Sequence, residues 1–249
     1  MKLMLLFILP NLITAAACQT TTVKTNPSQS GNNADTIYHY RHATRDGTGK
    51  YFLGREIAQV MGAAGSDWLE RPERQSEENT DLAIENMKLR TGAVVADIGA
   101  GTGYYTFRIA EKLTDGKVYA VELQDELINY LQNKIKETKA INVEVVKGDT
   151  LGVHLPDGSI DLAIMVDVYH ELSWPKEVLH AIRRCLKPDG KLLLIEYRGE
   201  DPKVPIKPVH KMTVQQIDKE MSSTGFVSDY RGNFLPIQHF LLYRKQNKN

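Results

Sequence analysis

The chain predicts an α/β fold: a doubly wound, mostly parallel seven-stranded sheet, closed by an antiparallel C-terminal hairpin and preceded by an N-terminal helical cap. Three observations carry this. Short apolar runs alternate with helical periodicities from residue 93 onward. The turn after the first of those runs is Asp97-Ile98-Gly99-Ala100-Gly101-Thr102-Gly103. The last two strand-like runs have no helix between them. Strands separated by helices of this length pair in parallel through right-handed crossovers, with helices on both faces.

Taken in order, residues 54–64 place Ile57, Val60 and Met61 at helical spacing, and residues 80–87 form a second short helix behind a Thr/Asp cap. The run 93–98 is a buried strand, followed by the glycine turn and a helix from about Thr102 to Leu113. Residues 117–123 are a second strand, 126–139 a helix, 141–149 a third strand and 160–168 a fourth. Residues 179–186 lie on a helix, and 190–197 make a fifth strand after the turn Lys187-Pro188-Asp189-Gly190. Helix 213–224 leads into the closing strands 225–230 and 238–243. The resulting organisation is a leader (1–17), a tether (18–37), a cap (38–90) and the α/β domain (91–249).

The leader joins one positive charge at Lys2 to a mostly apolar stretch, Leu3 to Thr14, and to Ala15-Ala16-Ala17 directly before Cys18. That run is shorter than the ~20 residues a bilayer core requires, so it reads as a secretory signal. Small residues before a cysteine resemble the lipobox of bacterial lipoproteins, which implies a lipid on Cys18 and a place in the cell envelope. Gln19 after the cysteine favours the outer membrane over the inner; a plain export signal, or a cytoplasmic protein with an apolar leader, is the alternative. Residues 19–37 are rich in Thr, Ser, Asn and Gln with almost nothing to bury, a flexible tether spanning roughly 25 Å by square-root scaling.

Composition narrows the functions. With 31 basic and 31 acidic residues, the chain has no net charge to favour counterion release from nucleic acid. Two cysteines, Cys18 and Cys185, are too few for a disulfide framework or a cysteine-rich zinc site. The histidines His39, His42, His154, His180 and His210 show no metal-ligand spacing, so no metal is expected.

The chemistry lies at the glycine turn. Small residues there let backbone approach a ligand, and the helix start offers free N–H groups. A dinucleotide fingerprint needs a third glycine at Tyr104 or Thr106, and a P-loop needs Gly-Lys-Ser/Thr; neither occurs. Glu122 at the tip of the second strand stands where a ribose-binding carboxylate occurs in doubly wound folds.

Strand, D-x-G-x-G-x-G, helix, a strand ending in Glu122, a third ending in Gly148-Asp149 and a fourth running into Asp167 resemble the class I S-adenosylmethionine-dependent methyltransferases, over residues 92–244. The resemblance implies S-adenosylmethionine as cofactor. It sets Gly99, Gly101 and Gly103 against the methionine part above Asp97, Glu122 on the ribose, Leu123 on adenine and Asp149 on the adenine amino group. Asp167, at the end of the fourth strand, joins the cofactor-binding residues. For Asp149 the alternative is a helix N-cap or a turn residue. Residues 67–74 and 198–202 further resemble an uncharacterised bacterial subgroup.

A proton acceptor is optional in methyl transfer; His170, with Tyr169 lining the pocket, is the candidate, beside Glu196-Tyr197 at the end of the fifth strand. Alternatively His170 and Glu171 cap the next segment or face solvent. Asp167-Val168-Tyr169-His170 lacks the prolines of the [D/N]-P-P-[Y/F] motif of nitrogen methylation in nucleic acids, which favours a small-molecule acceptor. Arg41, Arg45, Arg71 and Arg74 read either as an anion-binding cap or as ion pairs, and the loop 198–212, with three prolines, reads either as a lid or as a stiff surface connection. A non-catalytic nucleoside- or partner-binding lipoprotein is the other reading of the whole.

Overall fold

The computed structural model describes residues 37–247. The expected signal, Cys18 and the tether up to residue 36 lie outside them.

The central sheet has the order β6-β5-β4-β7-β8-β10-β9. Its parallel part comprises β4 (Val94–Ile98), β5 (Lys117–Glu122), β6 (Val143–Lys147), β7 (Ile160–Val166) and β8 (Leu186–Tyr197). β10 (Gln238–Lys245) runs antiparallel to β8, and β9 (Phe226–Gly232) antiparallel to β10, which is the expected hairpin edge.

Successive strand residues feed opposite faces of this sheet. Ala163 and Met165 of β7, with Leu192 and Leu194 of β8, pack under α6 (Pro175–Cys185) and α7 (Val214–Ser223) through Leu179, Ile182, Ile217 and Met221. Leu162, Ile164, Leu193 and Ile195 face the other side, with Phe107 and Ile109 of α4 (Tyr104–Lys112) and Leu131 of α5 (Asp125–Thr138). Burial on both faces explains why these strands read as continuous apolar runs rather than alternating ones. The turn expected at 187–190 is a bulge inside β8: Ile160 pairs with Leu186 and Leu162 with Lys191, so those four residues fit opposite Asp161 alone.

The cap departs from expectation. Its first part is a three-stranded antiparallel sheet, β1 (Tyr38–Tyr40), β2 (Gly47–Phe52) and β3 (Arg55–Ala58), where a helix over 54–64 was expected. Phe52 pairs with Arg55 across Leu53-Gly54, both at positive φ (50° and 99°). This two-residue mirror-image turn matches strand twist and overrides the helical spacing of Ile57, Val60 and Met61. The rest of the cap is helical: a 3-10 turn at Ala63–Gly65, α1 (Ser66–Leu69), α2 (Arg74–Glu78) and α3 (Thr80–Asn86).

Chain order reverses between β4 and β7, and in open α/β sheets the crevice at the carboxyl ends beside that reversal is where ligands bind. The segments leaving β4, β5, β7 and β8 there build the site.

Candidate functional site

The glycine turn joins β4 to α4. Gly99, Gly101 and Gly103 all have positive φ (72°, 57° and 78°), a region that penalises any side chain. They serve different neighbours. A Cβ on Gly99 would lie 2.6 Å from Val168 Cγ1, and on Gly101 2.9 Å from Leu69 Cδ1; on Gly103 it would strike Phe107 and Leu131 of the helix layer. Val168 at the β7 end and Leu69 of the cap thus pack directly over the first two glycines, and the third permits α4 and α5 to pack.

Glu122, at the end of β5, is buried, and its carboxylate holds three backbone amides. Oε2 accepts from Gly101 N–H at 3.0 Å, and Oε1 from Leu123 and Gln124 at 2.8 and 3.0 Å. Leu123 beside it is 45% exposed, an apolar surface at the mouth of the crevice. Asp97 lies beneath the turn with Thr106 donating to Oδ2 at 2.6 Å; burial pushes its carboxyl up to about 6 despite that hydroxyl and Arg74.

At the end of β7, Asp167 adopts φ 54° and accepts from Gln238 Nε2 at 2.7 Å, while its shielded Oδ1 has no hydrogen-bond partner among the described residues. Burial and the neighbouring Glu78 and Glu196 carboxylates raise Asp167 well above the usual range, with Arg74 and Gln238 opposing. Thr102 Oγ1 in the glycine turn is likewise buried without a partner among the described residues. Arg74 is nearly buried, bonded to Glu78 Oε2 and to the Leu69 carbonyl, and Glu78 Oε1 also accepts from Arg71 and Tyr197. Arg71 and Arg74 are thus ion-paired. Arg41 and Arg45 are exposed.

Asp149 is exposed, and its Oδ1 accepts from Leu151 and Gly152 amides at 2.7 and 2.8 Å, the turn-holding alternative. Tyr169 does not line a pocket: its ring is fully buried in the core, and its hydroxyl donates to Glu220 at 2.6 Å, because the chain turns inward after Val168. His170, instead of capping or facing solvent, is buried, with Nδ1 2.6 Å from Glu196 Oε2 and Nε2 3.1 Å from His210 Nδ1. Glu78, Gln238, Arg55 and Glu220 carry no motif, and sequence offered no signal for them. His210 has no metal-ligand spacing in the chain, so only the fold brings it to His170.

The order of strands, the glycine turn and the acid at the tip of β5 define a Rossmann-like fold of the methyltransferase type. Residues 95–190 match the family described as "Methyltransferase domain". An uncharacterized methyltransferase-like protein of Schizosaccharomyces pombe is 30% identical over 126 residues, 51% of this chain and 46% of that protein. Demethylmenaquinone methyltransferase of Lactococcus lactis is 29% identical over 155 residues, 60% of this chain and 61% of that one. The chain therefore spans about half the length of the curated relatives it matches. The crystal structure of a SAM-dependent methyltransferase from Aquifex aeolicus superposes with a TM-score of 0.70 at 24% identity, covering 74% of this chain and 98% of that one, and shows the shared fold.

The domain match and these neighbours support S-adenosylmethionine as cofactor, and the residues fit it. The group carries a cationic amine, a sulfonium, two ribose hydroxyls and a flat base. The crevice offers a carboxylate at Glu122, an exposed apolar Leu123, and the unpartnered acceptors Asp167 Oδ1 and Thr102 Oγ1.

Proposed function

We propose that this protein transfers a methyl group from S-adenosylmethionine to a small-molecule acceptor. One observation carries the reading: Glu122, buried at the end of β5, is anchored by three amides, one of them from a turn whose glycines admit no side chain. When bound, the cofactor supplies an electrophilic methyl on a sulfonium.

The chain's own part is orientation and exclusion of water, which together lower a barrier by several kcal/mol. Glu122 grips the sugar, Asp167 Oδ1 accepts from the cationic amine, and Val168 and Leu69 keep the crevice dry. Binding a cation beside Asp167 also relieves the repulsion that Glu78 and Glu196 exert on it. The acceptor enters beside the ends of β7 and β8. The absence of both prolines after Asp167 supports a small acceptor rather than a nucleobase, as do relatives named for methylation of demethylmenaquinone.

Calorimetry of the full chain with S-adenosylmethionine and its demethylated product tests the reading. We expect saturable one-site binding, lost in Glu122→Ala, and then turnover in a screen of phenols, thiols, amines and quinols. Absence of binding by the unsubstituted protein removes the proposal; binding without any turnover leaves a nucleoside-binding protein.

We further propose attachment to the cell envelope through a lipid on Cys18, supported by the residues around that cysteine. No described helix is long and apolar enough to cross a membrane. Cys18→Ser should move the protein from the membrane to the soluble fraction; unchanged fractionation refutes the anchor.

A further inference from the structure

Two short 3-10 turns meet at the carboxyl edge of β7 and β8: Tyr169–Glu171 after β7, and Pro208–His210 in the loop after β8. Adjacent strands bring residues forty positions apart together there. His170 Nε2 lies 3.1 Å from His210 Nδ1 and 3.7 Å from Glu171 Oε1, and His210 Nδ1 lies 3.4 Å from that same oxygen. A triangle with these edges has its three corners equidistant, about 2.0 Å, from one interior point, the bond length of a divalent zinc-type ion to imidazole nitrogen or carboxylate oxygen.

We propose that His170, Glu171 and His210 form a binding site for a divalent transition-metal ion of the zinc class, with an open fourth position. Three further features argue for a built site rather than an accidental approach.

The first is the state of His170. Its Nδ1 faces Glu196, a carboxylate at 0% exposure that can only accept when ionised, so the ring proton belongs on Nδ1 and Nε2 presents a lone pair. A carboxylate behind the far nitrogen is the usual way a metal-binding histidine is oriented. Glu196 is in turn fixed by the Tyr169 amide on its other oxygen, at 2.8 Å.

The second is that the other members are also held. Glu171 Oε2 accepts from the Met61 amide, which leaves Oε1 toward the histidines. The His170 carbonyl accepts from Arg55 Nη1 at 3.0 Å, and the His210 amide donates to the Lys207 carbonyl.

The third is access. The His210 and Glu171 side chains are 20% and 13% exposed while His170 is 2% exposed, so solvent reaches the triad through His210 and Glu171. Two imidazoles and one carboxylate are the donor set of zinc sites that retain a position for water or substrate, and harder ions such as magnesium prefer oxygen. The assignment gives the sequence-expected proton acceptor, His170 Nε2, a different task while an ion is bound. It stands or falls independently of the methyl-transfer reading, because its test needs no cofactor.

The experiment uses the full chain, stripped with a chelator and titrated with Zn²⁺ alone by calorimetry, with Co²⁺ absorption reporting coordination. We expect one equivalent of Zn²⁺, visible Co²⁺ bands typical of a four-coordinate site, and no saturable binding of Mg²⁺. His210→Ala, on a partly exposed turn, should abolish both signals while near-ultraviolet circular dichroism stays unchanged. Glu196→Gln should weaken Zn²⁺ about 10- to 100-fold. Lack of stoichiometric binding by the unsubstituted chain overturns the proposal. So does binding that survives His210→Ala but is lost in His39→Ala/His42→Ala, which would place the ion on the exposed histidines. If His210→Ala loses its fold, Glu171→Gln supplies the same comparison.

Discussion

Glu122 Oε2 accepts the amide hydrogen of Gly101 at 3.0 Å, across twenty-one positions of chain, and so ties the tip of β5 to the turn after β4. The same carboxylate satisfies Leu123 and Gln124, whose amides begin the segment leading into α5. One side chain therefore sets the shape of the crevice before any ligand arrives. Glu122→Ala leaves these amides without a partner, and we expect it to lower stability by about 1–3 kcal/mol in denaturant titration. Its effect on S-adenosylmethionine should be larger, at least a 30-fold loss of affinity by calorimetry, whereas Glu122→Gln retains an acceptor oxygen and should lie between.

The turn itself offers a second test. Gly99→Ala forces a side chain into φ 72° and sets its Cβ 2.6 Å from Val168 Cγ1. Backbone strain alone costs about 1–2 kcal/mol, and the clash adds a similar amount. Val168→Ala should recover the clash but not the strain. A double-mutant cycle on unfolding free energies should thus give a favourable coupling of about 1 kcal/mol or more; additivity would mean that Val168 does not press on the turn.

How far these relationships were readable from the chain depends on sequence distance. The glycine turn, the acid at Glu122 and the alternation of strands and helices are local patterns, and the sheet follows them closely. The Leu53-Gly54 turn was equally local, yet three apolar residues at helical spacing masked it, since a buried short strand also places Ile57 and Ala58 inward. The meeting of His170 with His210 depends on β7 and β8 lying side by side, with a helix and a whole strand between them in sequence. No spacing rule encodes such a pair. Glu78 and Glu220 are fully buried for a similar reason: their arginine partners come from elsewhere in the fold or from a helix too short to show a period.

Asp97 predicts an inverted contribution to acid stability. Burial raises its carboxyl to about 6, above the value of about 3.9 expected in the unfolded chain. The folded state thus binds the proton more tightly. Stability from this group is fully present below about pH 4 and is lost as pH rises to about 6, on the order of 2–3 kcal/mol. Asp97→Asn has no such titration. The difference in unfolding free energy between the two proteins, measured from pH 4 to 7, should change in favour of the Asn variant with rising pH and then level off. A flat difference would show that Asp97 is ionised in the native state throughout.

Arg55 joins the three-stranded sheet to α7 through a two-pronged pair with Glu220, at 2.8 and 2.9 Å, and Glu220 also accepts from Tyr169 and Gln216. Glu220 is fully buried, so Arg55→Ala strands a charge and should destabilise by about 3–5 kcal/mol. Removing both charges in Arg55→Met/Glu220→Met should recover only part of that loss, because the Tyr169 hydroxyl is then orphaned in the core. Adding Tyr169→Phe removes the orphan, and the triple variant should be more stable than the double, as read from guanidinium unfolding. The same Arg55 donates to the His170 carbonyl. Even a well-folded triple variant should therefore bind Zn²⁺ more weakly than the unsubstituted chain, since the pair that closes the cap onto α7 also holds in place the turn that carries two of the three metal donors.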